Sequence, residues 1–128
     1  MRLLLDTHVL LWALSASKRL GKEARAAIQD PGNDVMFSAA SIWEVAIKST
    51  LGKGAFGVTP DQILAAAVES GFSELPVRSA AAVHVAKLPP HHRDPFDRLL
   101  IAQAVTEPAI FYTADAQLEV YSELVHRI

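Results

Sequence analysis

At 128 residues with 51% hydrophobic side chains, the chain can bury one ordinary core and is too short for two comfortable domains, so a single domain spanning 1–128 is expected. The absence of cysteine excludes disulfides, thiolate zinc sites and cysteine nucleophiles, leaving carboxylates and histidines to hold any metal. The formal charge of −2 does not decide the partner: if four of the 14 acids sit in one metal-loaded cluster, 12 Lys and Arg face ten remaining acids.

No apolar run reaches the roughly 18 to 20 residues of a membrane span, and Asp6 interrupts Leu3-Leu4-Leu5 before a signal-peptide core can form. A soluble cytoplasmic protein is the expectation. Leu3 to Leu5 read as a buried strand, and Thr7 to Leu14 follow with helical spacing. Gly21 to Gln29 predict a second helix, closed by the turn Asp30-Pro31-Gly32-Asn33. Val35-Met36-Phe37 form a second buried strand, after which Ser38 or Ser41 caps a helix through Leu51 that ends at Gly52 and Gly54. Thr59-Pro60-Asp61 opens the next helix, with Gly71 as its stop.

Glu74 to Val77 predict a third strand and Ser79 to about Leu88 an Ala-rich helix, followed by the stiff polar loop Pro89-Pro90-His91-His92-Arg93. Asp94-Pro95 reads as an N-cap with proline at the first helical position, opening a helix that Pro108 prevents from continuing. Ala109 to Thr113 form a strand, Asp115 caps a short helix, and Leu124-Val125 supply a final strand. There are no repeats, low-complexity segments or linkers. Strands alternating with helices imply an α/β protein, a three-layer α/β/α sandwich around a mostly parallel sheet.

Four carboxylates stand out against that frame. Ligands of open α/β sheets bind outside the carboxyl ends of the strands, where strand order reverses. Asp6 closes the first strand, Glu44 lies early in the helix after the second, Asp97 lies in the first turn of the late helix, and Asp115 follows the penultimate strand. An acid at the end of a buried strand is costly unless paired or metal-bound, which makes Asp6 the most telling. Oxygen-only acidic clusters select hard cations such as Mg²⁺ or Mn²⁺, and such ions hydrolyse phosphodiesters. Each of the other three also has a structural reading. Ser41-x-x-Glu44 matches a capping box, Asp97 suits the helix dipole, and Asp115 suits an N-cap.

Around this set, Asp94 is assigned to the cap and Asp97 to the metal. Thr7 and Thr113 are candidates to hydrogen-bond the acids, or are ordinary turn hydroxyls. Arg93 and Arg98 flank the acidic helix start, where they neutralise the cluster or meet a phosphate. Lys48 reads as an i,i+4 partner of Glu44. Trp12, Trp43 and Phe96 read as core or dimer contacts rather than base-stacking platforms. The five histidines show no i,i+4 pair, so their spacing does not support a zinc site.

The segments Leu4 to Trp12, Ser41 to Lys48, Arg93 to Ala104 and Thr113-Ala114-Asp115 together resemble the PIN-domain ribonucleases, specifically VapC-type toxins. The resemblance runs in order along essentially the whole chain. It implies a compact α/β/α fold, an Mg²⁺- or Mn²⁺-dependent endoribonuclease acting on RNA, a homodimer, and neutralisation by a small cognate antitoxin. It further implies that Asp6, Glu44, Asp97 and Asp115 are the metal-binding acids, with Thr113 at a hydroxyl position near them. His8 departs from relatives that often carry a smaller polar residue there, and Asp115 stands at the position the family uses most variably.

Two other readings compete. A phosphatase or receiver-like phosphoryl-transfer domain also places an Asp after the first strand, but the phosphatase needs a second acid where this chain has His8, and the paired early acids of a receiver are missing. A non-catalytic module whose acidic cleft binds a basic peptide is the third.

Overall fold

The computed structural model describes residues 1–51 and 57–128. The chain order is β1 (Arg2–Leu5), α1 (Thr7–Leu14), a 3₁₀ turn (Lys18–Leu20), α2 (Lys22–Gln29), β2 (Asp34–Ser38), α3 (Ala39–Thr50), α4 (Pro60–Glu69), β3 (Ser73–Leu75), α5 (Ser79–Val85), α6 (Pro95–Thr106), β4 (Ile110–Thr113), a 3₁₀ helix (Ala116–Tyr121) and β5 (Val125–Arg127). The strands form one sheet in the order β3-β2-β1-β4-β5, and every pairing is parallel.

The pleat explains the layers. Alternate residues of a strand point to opposite faces. Leu4, Met36, Phe111 and Val125 project to one side, where they meet Ala81, Leu100, Ile101 and Leu118 of α5, α6 and the 3₁₀ helix. Leu3, Leu5, Val35, Phe37 and Tyr112 project to the other, against Val9, Leu10, Ala24, Ile28 and Ile63 of α1, α2 and α4. Both faces are covered, which is why these strands read as continuous apolar runs. Helix α3 crosses the end of the sheet, giving Ala40 to the first core and Val45 to the second. No helix among the described residues is long and apolar enough to cross a membrane.

Several boundaries differ from expectation. The third strand is Ser73–Leu75 rather than Glu74 to Val77, because its pairing with Met36 to Ser38 of β2 sets the register. Helix α5 stops at Val85, and i→i+3 bonds from Ala86, Lys87 and Leu88 tighten the chain so that Leu88 turns back into the core. The last strand is Val125–Arg127, one residue later than expected and paired to Phe111 to Thr113. The proposed stop of α3 at Gly52 and Gly54 lies outside the described residues.

Ser38, not Ser41, caps α3: its Oγ accepts from Ala40 N at 3.0 Å and donates to Gln103 Oε1 at 2.6 Å. Both side chains are fully buried. Ser38→Ala therefore removes a cap and leaves a buried amide oxygen unsatisfied, a loss of about 2–4 kcal/mol. In thermal unfolding followed by circular dichroism, Tm should drop by roughly 10 °C. A change under about 2 °C would show that the Ser38–Gln103 bond is not holding α3 to α6.

Candidate metal centre

Strand order reverses between β1 and β4, since the chain builds β2 and β3 on one side of β1 and β4 and β5 on the other. Asp6 N donates to Tyr112 O at 2.9 Å, so the ends of these two strands are held together at the point where a ligand crevice opens. Around it lies a cavity of about 290 Å³ lined by Asp6, Thr7, His8, Trp12, Glu44, Lys48, Asp94, Asp97, Ala114 and Asp115. Larger hollows lie elsewhere, one of about 680 Å³ between α1 and α4, but it is this one that gathers all four acids.

Each acid is placed by a local rule. Asp6 caps α1, its Oδ1 accepting from Val9 N at 2.7 Å, while its Oδ2 accepts from Thr113 Oγ1 at 2.5 Å. The Thr113 hydroxyl also accepts from Asp115 N, so one hydroxyl ties the end of β4 to the acids on either side of it. Asp115 caps the 3₁₀ helix through Gln117 N at 2.9 Å. Asp94 caps α6 through Phe96 N and Asp97 N, with Pro95 preset for the first turn, and this aims Asp97 at the cleft.

Glu44 is 4% exposed, too buried to stand without partners. Its Oε1 accepts from Thr7 Oγ1 at 2.7 Å, and its Oε2 pairs with Lys48 Nζ at 2.6 Å. The capping-box reading is thus overturned: Ser38 holds the cap, and Ser41 is a buried mid-helix residue whose Oγ lies 2.9 Å from Thr7 Oγ1. Thr7 and Thr113 both bond to acids, as expected, and Lys48 is the i,i+4 partner of Glu44.

Electrostatics record the crowding. Burial pushes the Asp6 carboxyl above the ordinary carboxylate range, with Thr113 and Val9 partly opposing it and Glu44 adding to it. Asp97 is raised to about 6, first by burial and then by the charge of Asp94, with Asp6 also contributing. Both carboxyls keep their protons to a higher pH than an ordinary carboxyl, and a bound cation would favour their ionised forms. The donors are mainly hard carboxylate oxygens, which fit Mg²⁺ or Mn²⁺.

Two residues differ from expectation. Arg98 neither neutralises the acids nor faces the cleft. Its guanidinium donates to the carbonyls of Val85, Leu88, Pro89 and His92 and to Tyr121 Oη, so it clamps the loop that leads into α6. Arg98→Ala would leave several of these carbonyls unpaired at a cost of about 2–3 kcal/mol, and Arg98→Lys, lacking the planar fork, should recover less than half. Urea titration measures both; equal stability of the arginine and lysine proteins would refute the clamp. Arg93 is exposed.

The second is His92, whose Nε2 lies 2.9 Å from Asp97 Oδ2. Histidine spacing in the sequence gave no hint of it, because its partner is an aspartate across a loop rather than a second histidine. Of the aromatic residues, Trp12 is half-buried against the α1 core, as expected, whereas Trp43 is 58% exposed and packs edge-on against Phe96 at 5.3 Å.

A parallel sheet with acids converging at its switch point defines an α/β protein with an acidic cleft. The chain belongs to the PIN domain family, whose model matches residues 3–124. Among solved structures it is similar to VapBC2 from Rickettsia felis, crystallised bound to a DNA fragment from their promoter. The TM-score is 0.71 at 14% identity, covering 98% of this chain and 96% of that one, a likeness of fold. No curated protein matches the chain.

Proposed function

We propose that the chain, acting as one PIN-like domain over residues 1–128, is a metal-dependent endoribonuclease and the toxin of a VapBC-type toxin–antitoxin pair in the cytoplasm. The observation that carries this reading is the convergence of Asp6, Glu44, Asp97 and Asp115, from four separate elements, on one cavity. Membership of the PIN domain family and the likeness to VapBC2 support it. An antitoxin partner and a homodimeric assembly belong to the same reading.

Asp6, Asp97, Glu44 and Asp115 would hold Mg²⁺ or Mn²⁺, which supplies an activated water and charge neutralisation at the scissile phosphate. The rest is work of this chain's own groups. Thr113 and Val9 N fix both oxygens of Asp6, so its carboxylate need not reorganise when substrate arrives. Thr7 and Lys48 do the same for Glu44. Asp94 stays on the helix terminus and sets the angle of Asp97. No side-chain nucleophile is required.

A phosphoryl-transfer domain would need Asp6 as a nucleophile. Both its oxygens already accept hydrogen bonds and its carboxyl resists ionisation, each of which weakens attack on phosphorus. Labelled single-stranded RNA incubated with Mn²⁺, with Mg²⁺ and with EDTA tests the proposal. Cleavage in both metals and none in EDTA is expected. Stable phosphate on Asp6 after exposure to a phosphoryl donor, without RNA cleavage, would replace this reading with the phosphoryl-transfer one.

A further inference from the structure

We propose that His92 is a metal ligand, so that the cation is seated by an imidazole nitrogen together with Asp97 and Asp115, and that this nitrogen tunes the centre towards Mn²⁺ over Mg²⁺. The inference rests on the metal-site reading above and adds to it a donor that is not a carboxylate.

The carboxylate oxygens least engaged by the chain lie on the His92 side of the cleft. Asp6 and Glu44 each have both oxygens engaged by donors of the chain. On the other side of the cleft, Asp97 accepts only from His92, at Oδ2, and Asp115 accepts only from Gln117 N, at Oδ1. Asp97 Oδ1 and Asp115 Oδ2 therefore accept no hydrogen bond from the described residues. One donor atom from each of His92, Asp97 and Asp115 lies within 4.8 Å of the other two. Ligands of an octahedral ion stand about 3.0 Å apart when adjacent and about 4.2 Å when opposite, so a bound ion would draw these donors closer together.

The histidine is held for this position from behind. Arg98 grips the carbonyls of Pro89 and His92, and the neighbouring His91 ring packs edge-on against Tyr121 at 5.3 Å. The Nε2 atom lies against the acids, and for a cation to bind there the ring would take its Nδ1–H tautomer, so that the Nε2 lone pair and the Asp97 carboxylate turn to the ion in place of their mutual hydrogen bond. Imidazole nitrogen favours transition metals, whereas Mg²⁺ prefers oxygen and its own water. Oxygen-only sites lack that discrimination.

The test uses full-length protein without RNA. Calorimetry should give Mn²⁺ binding at least tenfold tighter than Mg²⁺. His92→Gln, whose amide can still bond Asp97, should lose about tenfold in Mn²⁺ affinity while Mg²⁺ affinity changes less than twofold. Pulsed electron paramagnetic resonance of bound Mn²⁺ should show nitrogen coupling in wild type and in His8→Gln, and none in His92→Gln. Absence of nitrogen coupling in wild type, its survival in His92→Gln, or equal loss of both metals would overturn the proposal. These readouts do not depend on cleavage: an inactive protein with nitrogen-coupled Mn²⁺ sinks the nuclease reading alone.

Discussion

Asparagine in place of Asp6 is expected to lower metal-dependent RNA cleavage by at least about a thousandfold while leaving the protein folded. The two halves of this expectation come from different properties of one side chain. In the proposed site Asp6 stands at the junction of β1 and β4, bonded to Thr113 and within electrostatic reach of Glu44 and Asp97, so removing its charge should weaken cation binding there. As a structural residue, Asp6 is an N-cap, a task asparagine performs as well. The amide has one acceptor where the carboxylate has two, so either Val9 N or the Thr113 hydroxyl loses its partner at about 1 kcal/mol. Against that stands relief from burying a charge that the site already holds above its ordinary pKa. Gel assays on Mn²⁺-loaded protein, with circular dichroism as the folding control, decide it. Cleavage within tenfold of wild type by a folded variant would place the chemistry elsewhere.

What could be read from sequence, and what could not, divides by how local each interaction is. Asp94 as cap and Asp97 as the inward acid follow from Asp-Pro at a helix start, where the cap bonds span two or three residues. The strands are legible because burial on both faces leaves an apolar run with an acid at its end. Glu44 is different: Ser41-x-x-Glu44 satisfies a capping rule, and only the tertiary contact with Thr7, 37 positions earlier, shows that the carboxylate turns inward. Arg98 misleads in the same way. A cation beside acids invites an electrostatic role, yet its partners are carbonyls six to 13 residues back and Tyr121 Oη 23 residues on, which no charge pattern reveals. His92 reaches Asp97 because of that clamp. Residues whose roles depend on a loop path therefore escape sequence reading even when every flanking element is correct.

The difference in Tm between Asp97→Asn and wild type, measured in metal-free buffer, is expected to grow as pH rises from about 4 to about 7, with the variant the more stable. Asp97 titrates at about 6 in the fold against 3.8 when unperturbed. Between those values the folded state holds more protons than the unfolded state, so stability falls with rising pH. The contribution is fully present below about 3.8, is lost as pH passes through about 6, and stays lost above it. Two pKa units correspond to about 3 kcal/mol at most. The Asp97 side chain is 26% exposed, and asparagine forfeits part of the favourable helix-dipole term, so roughly half of that should survive. At about 4 °C per kcal/mol for a chain of this size, the variant should melt about 5 °C higher at pH 7 and no higher at pH 4. Millimolar Mn²⁺ should reverse the order at pH 7, because the ion binds only the folded wild type well and adds about 2.7 kcal/mol at a hundredfold excess over Kd. At pH 4 protons hold the carboxylates and the metal should do little. A Tm difference that stays flat across this range would mean that Asp97 is not held in a charge-averse cleft, and a wild type indifferent to Mn²⁺ at pH 7 would mean that the cleft is not built for a cation.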